Sequence, residues 1–291
     1  MPSFHVVTDS SARFGHPRFL QQYPVTVVPY QVDLAGKRFR EEEDLTPEEM
    51  LSLVKSQSTP PRLIAPSVEE LSVLYANLSR SYDGIISIHS SRELSDSWQN
   101  ARQAALQAGD SCAIAVIDSG TLCAGQGMLV RLAGQGVLDE LDFESIVKKV
   151  RGAVDRIYCA YYVESLDYLH KNHMMSEAHA ILGTMLKIKP FLSIEEGQFF
   201  ITEKVRSRSQ AIERMVEFLK EFEDLEDAMI VQNRVRITEQ ARALQDRLSV
   251  EFPGKHFPYT IYSAMLAVLL GADATGVVVL ESEIEGLNDG F

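Results

Sequence analysis

The chain has 291 residues, 45 % hydrophobic and 24 % charged, a composition that supports two ordinary soluble domains, each with its own core. A formal net charge of −13 excludes a general nucleic-acid binder, because phosphate contact needs clustered Lys and Arg. Three cysteines, Cys112, Cys123 and Cys159, form no C-x-x-C pair and no even-numbered framework, so a reduced cytoplasm is the expected location.

The first half alternates β-branched runs with helical patterns. "FHVVTDSS" predicts a strand and a turn, and "YPVTVVPYQV" a second extended run. "DLTPEEMLSLVKS" opens a helix with Thr46 as N-cap, Pro47 in the first turn and Glu49 completing a capping box. "SVEELSVLYANLSR" predicts another helix, with Ser67 as cap and Glu70 in the same role. "DGIISIHS" is then a strand, "SDSWQNARQAALQAG" a helix ended by Gly109, and "CAIAVIDS" a further strand. This alternation predicts an open, mostly parallel α/β sheet, with ligands expected at the carboxyl ends of its strands.

The second half has a different rhythm and predicts an α/β or α+β unit starting at Ile157, giving domains over 1–156 and 157–291. "IYCAYYVES" is an apolar strand and "SEAHAILGTMLK" a helix capped by Ser176. "IKPFLSIEEGQFFITEKV" is a pair of strands joined by a turn at Glu-Glu-Gly-Gln. "SQAIERMVEFLKEF" puts Ile212, Met215, Val216, Leu219 and Phe222 on one helical face. "AMIVQN" and "GVVVLES" are strands flanking the helix "TEQARALQDRLS". The longest apolar stretch, Ile261 to Ala272, is broken by Tyr262 and Ser263 and is too short to cross a bilayer. The start has no basic region before a long apolar run, so no signal peptide and no stable membrane insertion are expected.

Four segments carry polar or glycine patterns with chemical potential. "IHSSRELSDSW" follows a strand and precedes a helix. Ser95 can cap that helix, while hydroxyls and unpaired amides at a helix start can also hold an acidic head group. A nucleophilic Ser91 lacks the G-x-S-x-G elbow, and only sequence proximity nominates His89 as its base. In "DSGTLCAGQGMLV", Gly125 and Gly127 form G-x-G, but Val130 stands where a dinucleotide fingerprint has its third glycine. Those glycines permit close approach of a helix to another backbone or to a ligand. His170, His173 and His179 in "HKNHMMSEAH" complete no metal-ligand spacing, so no metal and no cofactor is expected. "EKVRSRSQ" places Lys204, Arg206 and Arg208 together as a basic spot, either a solvated surface or a docking contact for an acidic partner.

At these same residues the sequence resembles the DegV family of bacterial fatty-acid-binding proteins, from end to end. "VVTDSSARF" resembles its Thr-Asp-Ser turn, and "VVPYQVDLAGKRFREEEDLTPEEM" its Val-Pro-Leu strand and acidic stretch. "HSSRELSDSWQNA" is similar to its Ser-Ser-x-Leu-Ser-Gly-Thr-Tyr segment, and "VIDSGTLCAGQG" to Val-Ile-Asp-Ser followed by Gly-x-Gly. "YVESLDYLHKNHMMSEAHAILGTMLKIKPFLSIEEGQFFITEKVRSR" resembles the family's Leu-Gly-x-x-Leu-x-Ile-Lys-Pro stretch and Glu-Lys-Val-Arg turn.

The resemblance implies a non-catalytic carrier with a Rossmann-like N-terminal domain, a C-terminal α/β domain, and an acyl tunnel between them. It also implies a partner, a fatty acid kinase subunit met through Lys204, Arg206 and Arg208. A tunnel burying about fourteen methylenes gains up to roughly 11 kcal/mol before ordering and association costs.

The departures from the family pattern bear on the head group. The family's carboxylate-binding threonine falls at Leu63, next to Ile64, its arginine at Met174 and its histidine at Leu269. Gly271 and Gly276 keep the register, and the second serine of Ser-Ser falls at Arg92, leaving Ser91 and Ser95. The expected ligand contacts are therefore Ser91, Ser95, Leu63, Ile64, Met174, Leu269, Gly125 and Gly127. A buried carboxylate without charged donors is costly, so weak binding of ionised long-chain fatty acids, or a neutral acyl lipid, is expected. Arg92 beside Glu93 reads as a solvated pair. A diverged member that has lost the ligand and acts by partner docking, and a serine acyl hydrolase using Ser91, are the alternatives.

Overall fold

The computed structural model describes residues 3–16, 18–57, 60–108 and 112–283. In chain order the first elements are β1 (Phe4–Asp9), α1 (Phe19–Gln22), β2 (Val25–Val28), β3 (Gln31–Leu34), β4 (Lys37–Arg40) and α2 (Pro47–Ser56). β5 (Arg62–Ile64), α3 (Val68–Leu78), β6 (Gly84–His89), α4 (Ser97–Ala108) and β7 (Ala113–Asp118) follow. Next come α5 (Cys123–Leu138), α6 (Phe143–Val154), β8 (Ile157–Val163), α7 (Asp167–Lys171), α8 (Glu177–Met185), β9 (Lys189–Glu195) and β10 (Gln198–Val205). α9 (Arg208–Leu219), β11 (Leu225–Gln232), α10 (Glu239–Glu251), β12 (Tyr259–Ile261), α11 (Ala264–Leu270) and β13 (Ala274–Glu281) complete the fold.

β2-β1-β6-β7 form a parallel sheet, and β10-β9-β8-β13-β11-β12 a larger sheet that is antiparallel except where β12 joins β11. All strands of the parallel sheet precede Ile157, and all strands of the larger sheet begin at or after it. We propose this passage, from α6 into β8, as the domain boundary. The extended run over 23–32 divides at Pro29: β2 stays beside β1, whereas β3 turns into a small antiparallel sheet, β4-β3-β5. Proline has no N–H to continue the ladder, which explains the division there.

Local chemistry sets the ends of these elements. Thr46 and Glu49 form both bonds of the capping box. Ser67 accepts from the Glu70 N–H, but the Glu70 carboxylate turns to Arg40 at 3.0 Å, so the box expected there is half formed. Ser176 caps α8 by accepting from His179 N–H. Gly109, expected to end α4, lies outside the described residues. The β9–β10 turn uses Glu196 at φ 49° and Gly197 at φ 81°, the paired left-handed conformation of a two-residue hairpin.

The layers follow from where the apolar surface lies. α3 and α4 cover one face of the parallel sheet, and α9 and α10 cover the outer face of the larger one. α5 lies between the sheets, touching β1 and β6 on one side and β8, β11 and β13 on the other. Twelve of its sixteen residues are buried, as a helix apolar all round requires. The core around it is continuous across both sheets.

Candidate functional site

The carboxyl ends of β1 and β6 carry a buried polar network. Asp9 lies at its centre. One carboxylate oxygen accepts from Ser97 Oγ at 2.7 Å and Ser90 N–H at 3.1 Å, and faces His89 Nδ1 at 3.1 Å. The other accepts from Ser11 Oγ at 2.7 Å and Gln126 Nε2 at 3.0 Å. Burial opposes ionisation of Asp9, but the bonds from His89, Ser97 and Ser11 outweigh it and hold the pKa at about 2. With Asp9 ionised, His89 presents Nδ1–H to it, and its Nε2 meets Ser87 Oγ at 2.8 Å, which in turn meets Tyr75 OH at 2.7 Å. Tyr30 OH joins Ser90 at 2.8 Å and Ser95 at 2.5 Å. Asp9, Ser87, His89, Ser90 and Ser97 are all solvent-inaccessible, so the network is sealed.

The serines of "IHSSRELSDSW" thus divide by partner. Ser95 Oγ accepts from the Ser97 N–H at the first residue of α4 and shares its hydroxyl with Tyr30 and Ser90. Ser91 donates to the Gly197 carbonyl at 2.8 Å and accepts from Glu93 N–H at 3.2 Å. It ties the loop after β6 to the tip of the β9–β10 hairpin, and Gln198 reinforces the tie by reaching Glu93 at 3.1 Å. The imidazole of His89 bonds Ser87, Ser97 and Asp9, and the Ser91 hydroxyl is taken by a backbone carbonyl. Arg92 is exposed and pairs with Glu93 and Asp118.

Gly125 and Gly127 are buried within α5. A Cβ on Gly127 would stand 1.9 Å from the Arg13 carbonyl oxygen, and one on Gly125 would stand 2.9 Å from Ile157 and Thr121 side-chain atoms. They seat α5 against the β1–α1 loop and β8, and they leave Gln126 aimed at Thr8 and Asp9. Asp9, Gln126 and Tyr30 were not among the expected site residues. "TDSS", a helix-borne Gln between two glycines, and a Tyr after Pro29 were the only traces of them in the sequence.

The apolar positions lie together elsewhere. Leu63 and Ile64 are on β5, Leu269 is on α11 and Met174 follows α7; α11 packs against β5, α2 and α7. Leu63, Met174 and Leu269 are half-buried against the same core. Asn172 fixes this corner, its amide donating to the Val268 carbonyl at 2.8 Å and the Leu269 carbonyl at 3.0 Å. Met174 also lines a groove of about 430 Å³ beside α8, with Leu166, Met175, Leu182, Leu186, Ile188 and Ile201, and with His179 and Lys204. Gly183 permits this packing, since a Cβ there would stand 2.5 Å from Leu166.

Of the basic spot, Lys204 reaches the groove and Arg208 binds Glu164 at 2.5 Å. Arg206 is exposed, its backbone N–H held by Gln210. Lys189 also pairs with Glu164. Burial would raise the Glu164 pKa, but these two cations hold it below the usual carboxylate value. Ser91, Gly125 and Gly127 do not line the groove, and among the described residues no His, Cys, Asp and Glu cluster could hold a metal ion. No described helix is long and apolar enough to cross a membrane.

Comparison with known proteins places this architecture. The family model described as "Uncharacterised protein, DegV family" matches residues 3–282. Protein DegV of Bacillus subtilis is 30 % identical over 277 residues, 94 % of this chain and 97 % of the relative. The crystal structure of a fatty-acid-binding DegV family protein from Streptococcus agalactiae superposes with a TM-score of 0.85 at 26 % identity, covering 97 % of this chain and 100 % of that one. That of DegV, a fatty-acid-binding protein from Bacillus subtilis, gives 0.83 at 27 %, with the same coverage. The chain belongs to the DegV family.

Proposed function

We propose that this protein is a non-catalytic carrier of a long acyl chain, and that its ligand carries a neutral or weakly held head group. The groove beside α8 is the observation that carries this reading. Its volume of about 430 Å³ suits a lipid-sized ligand, and its lining is aliphatic or thioether apart from His179 and Lys204. Each methylene seated there gains about 0.8 kcal/mol. Leu63 and Leu269, half-buried against the same core as Met174, cannot donate to a carboxylate, so an ionised head placed beside them would keep its desolvation cost. The fatty-acid binding of the Streptococcus agalactiae and Bacillus subtilis proteins supports an acyl ligand.

The tail then lies along α8, and the lipid is presented to a second protein, for which a fatty acid kinase subunit is our candidate. Lys204 and Arg206 are the cations available for such a partner, since Arg208 is engaged by Glu164. Acyl hydrolysis at Ser91 has no support in the geometry, because the hydroxyl donates to Gly197 O and His89 is bonded elsewhere. Native mass spectrometry of the purified full chain tests the carrier: a co-purifying acyl species supports it. A clean apo mass that stays unchanged after incubation with palmitate or methyl palmitate favours a member acting by docking alone.

A further inference from the structure

β7 is an open edge of the parallel sheet, paired with β6 on one side only. At its two ends the Ala113 N–H donates to the Asp83 carbonyl and the Ser119 N–H to the His89 carbonyl, so the odd-numbered backbone groups face β6. The alternation of a strand then turns the N–H and C=O of Ile114 and Val116 outward. Neither N–H has a partner among the described residues.

Among the described residues, every other edge strand carries a guard against pairing. β2 has four residues between Pro24 and Pro29, and β12 has three after Pro258. β4 bears Lys37, Arg38 and Arg40, and β5 is three residues long with Arg62. β10 holds Glu203 and Lys204 and a register shift between Ile201 and Glu203. Short length, proline, charge and bulges are the devices that keep natural edges apart. β7 is six residues, Ala-Ile-Ala-Val-Ile-Asp, in unbroken register with β6 and charged only at its last position.

Beside this edge α4 leaves a groove of about 550 Å³, lined by Trp98, Ala105, Leu106, Ile114 and Val116. Leu106 is 79 % exposed. Arg102 is the charged member of the lining, its guanidinium 5.5 Å from the centroid of the Trp98 ring. It has no carboxylate partner among the described residues, in a chain with 41 acidic ones. An acid on the occupant would complete it. A second copy of this chain would bring the same arginine and no acid to the groove, so charge favours a different protein.

We propose that the free edge of β7 docks an extended segment of a partner protein, added to the parallel sheet as a fifth strand. Its apolar side chains enter the α4 groove, and an acidic one meets Arg102. Main-chain bonds to Ile114 and Val116 supply the affinity, and the alternate side chains select the partner. The surface shares no residue with the acyl groove and does not rest on the carrier reading.

The test adds the peptide acetyl-Ile-Thr-Glu-Thr-Ile-Thr-amide, and its counterpart with Gln for Glu, to the full chain, followed by amide NMR and hydrogen exchange. The expected result is slowed exchange at the Ile114 and Val116 amides. The Glu peptide should bind more tightly by roughly two- to fivefold, the worth of an exposed ion pair, and Arg102→Gln should erase that preference. Val116→Pro removes an outward N–H that β6 does not use, and should abolish binding of both peptides. Leu106→Asp, at an exposed position, should weaken both, and it decides the matter if Val116→Pro fails to fold. No slowing at Ile114 and Val116, equal affinity for the two peptides, binding unaffected by Leu106→Asp, or a dimer that protects these amides without peptide overturns the proposal.

Discussion

Replacing Glu41 by alanine is expected to loosen the corner that carries Leu269. The Glu41 side chain is 1 % exposed and serves three donors: Ser10 Oγ at 2.7 Å, Ala264 N–H at 2.6 Å, and Arg13. Burial alone would push its carboxyl up, and Arg13, the Ala264 amide and Ser10 oppose that. Ala264 begins α11, so one carboxylate from the first half of the chain anchors the helix bearing Leu269. Removing one member of a buried ion pair costs about 3–5 kcal/mol, against a total stability of about 5–15 kcal/mol for a folded domain. Glu41→Gln keeps an acceptor oxygen and should cost about 1–3 kcal/mol. Glu41→Leu combined with Arg13→Met removes both charges, and should recover most of what either change loses alone. Urea denaturation followed by circular dichroism gives the three values, and amide exchange over 264–270 should quicken in Glu41→Ala. A loss below about 1 kcal/mol in Glu41→Ala, or a double variant no better than the single, would refute the role given to this pair.

Two further outcomes follow from the buried groups. Asp9 titrates at about 2 in the folded protein and at 3.8 when unperturbed. Because its folded pKa is depressed, its contribution of about 2 kcal/mol is complete above the unfolded value and is lost as pH falls through the folded one. Stability measured from pH 5 down to pH 2 should fall more steeply in the wild type than in Asp9→Asn; equal slopes would contradict the network. Burial pushes the thiols of Cys123 to about 11 and Cys159 to about 12. A thiol reagent at pH 7.5 should leave both unmodified until denaturant is added, and prompt reaction in the native state would contradict the packing around α5.

Much of the fold was written in local chemistry. The Thr46 box, the Ser176 cap, the Glu196-Gly197 turn and the apolar face of α9 each depend on residues a few positions apart. α5 was harder to read for a physical reason. Buried on nearly all sides, it has no polar face to reveal a period of 3.6, and its glycines look like loop residues until their close neighbours are known. The small sheet containing β5 was hidden because its strand is three residues long and pairs with a partner some thirty positions earlier.

The site divides along the same line. That Leu63, Met174 and Leu269 stand where the family carries polar residues is an expectation from resemblance, and β5 and α11, which carry Leu63 and Leu269, pack together. That Ser91 would bond Gly197, 106 positions away, or that Gln126 would reach Asp9 across 117, depends on tertiary placement that no local pattern records.

The central claim is an acyl carrier whose head-group corner holds no charge for a carboxylate. The most direct measurement is the affinity of the delipidated full chain for palmitate and for methyl palmitate, by calorimetry at pH 7.5, repeated with Leu63→Thr, Met174→Arg and Leu269→His combined. The account predicts that the ester binds at least as tightly as the acid in the wild type, and that the triple variant reverses the order. Tighter binding of palmitate by tenfold or more in the wild type, or no binding of either, would contradict it.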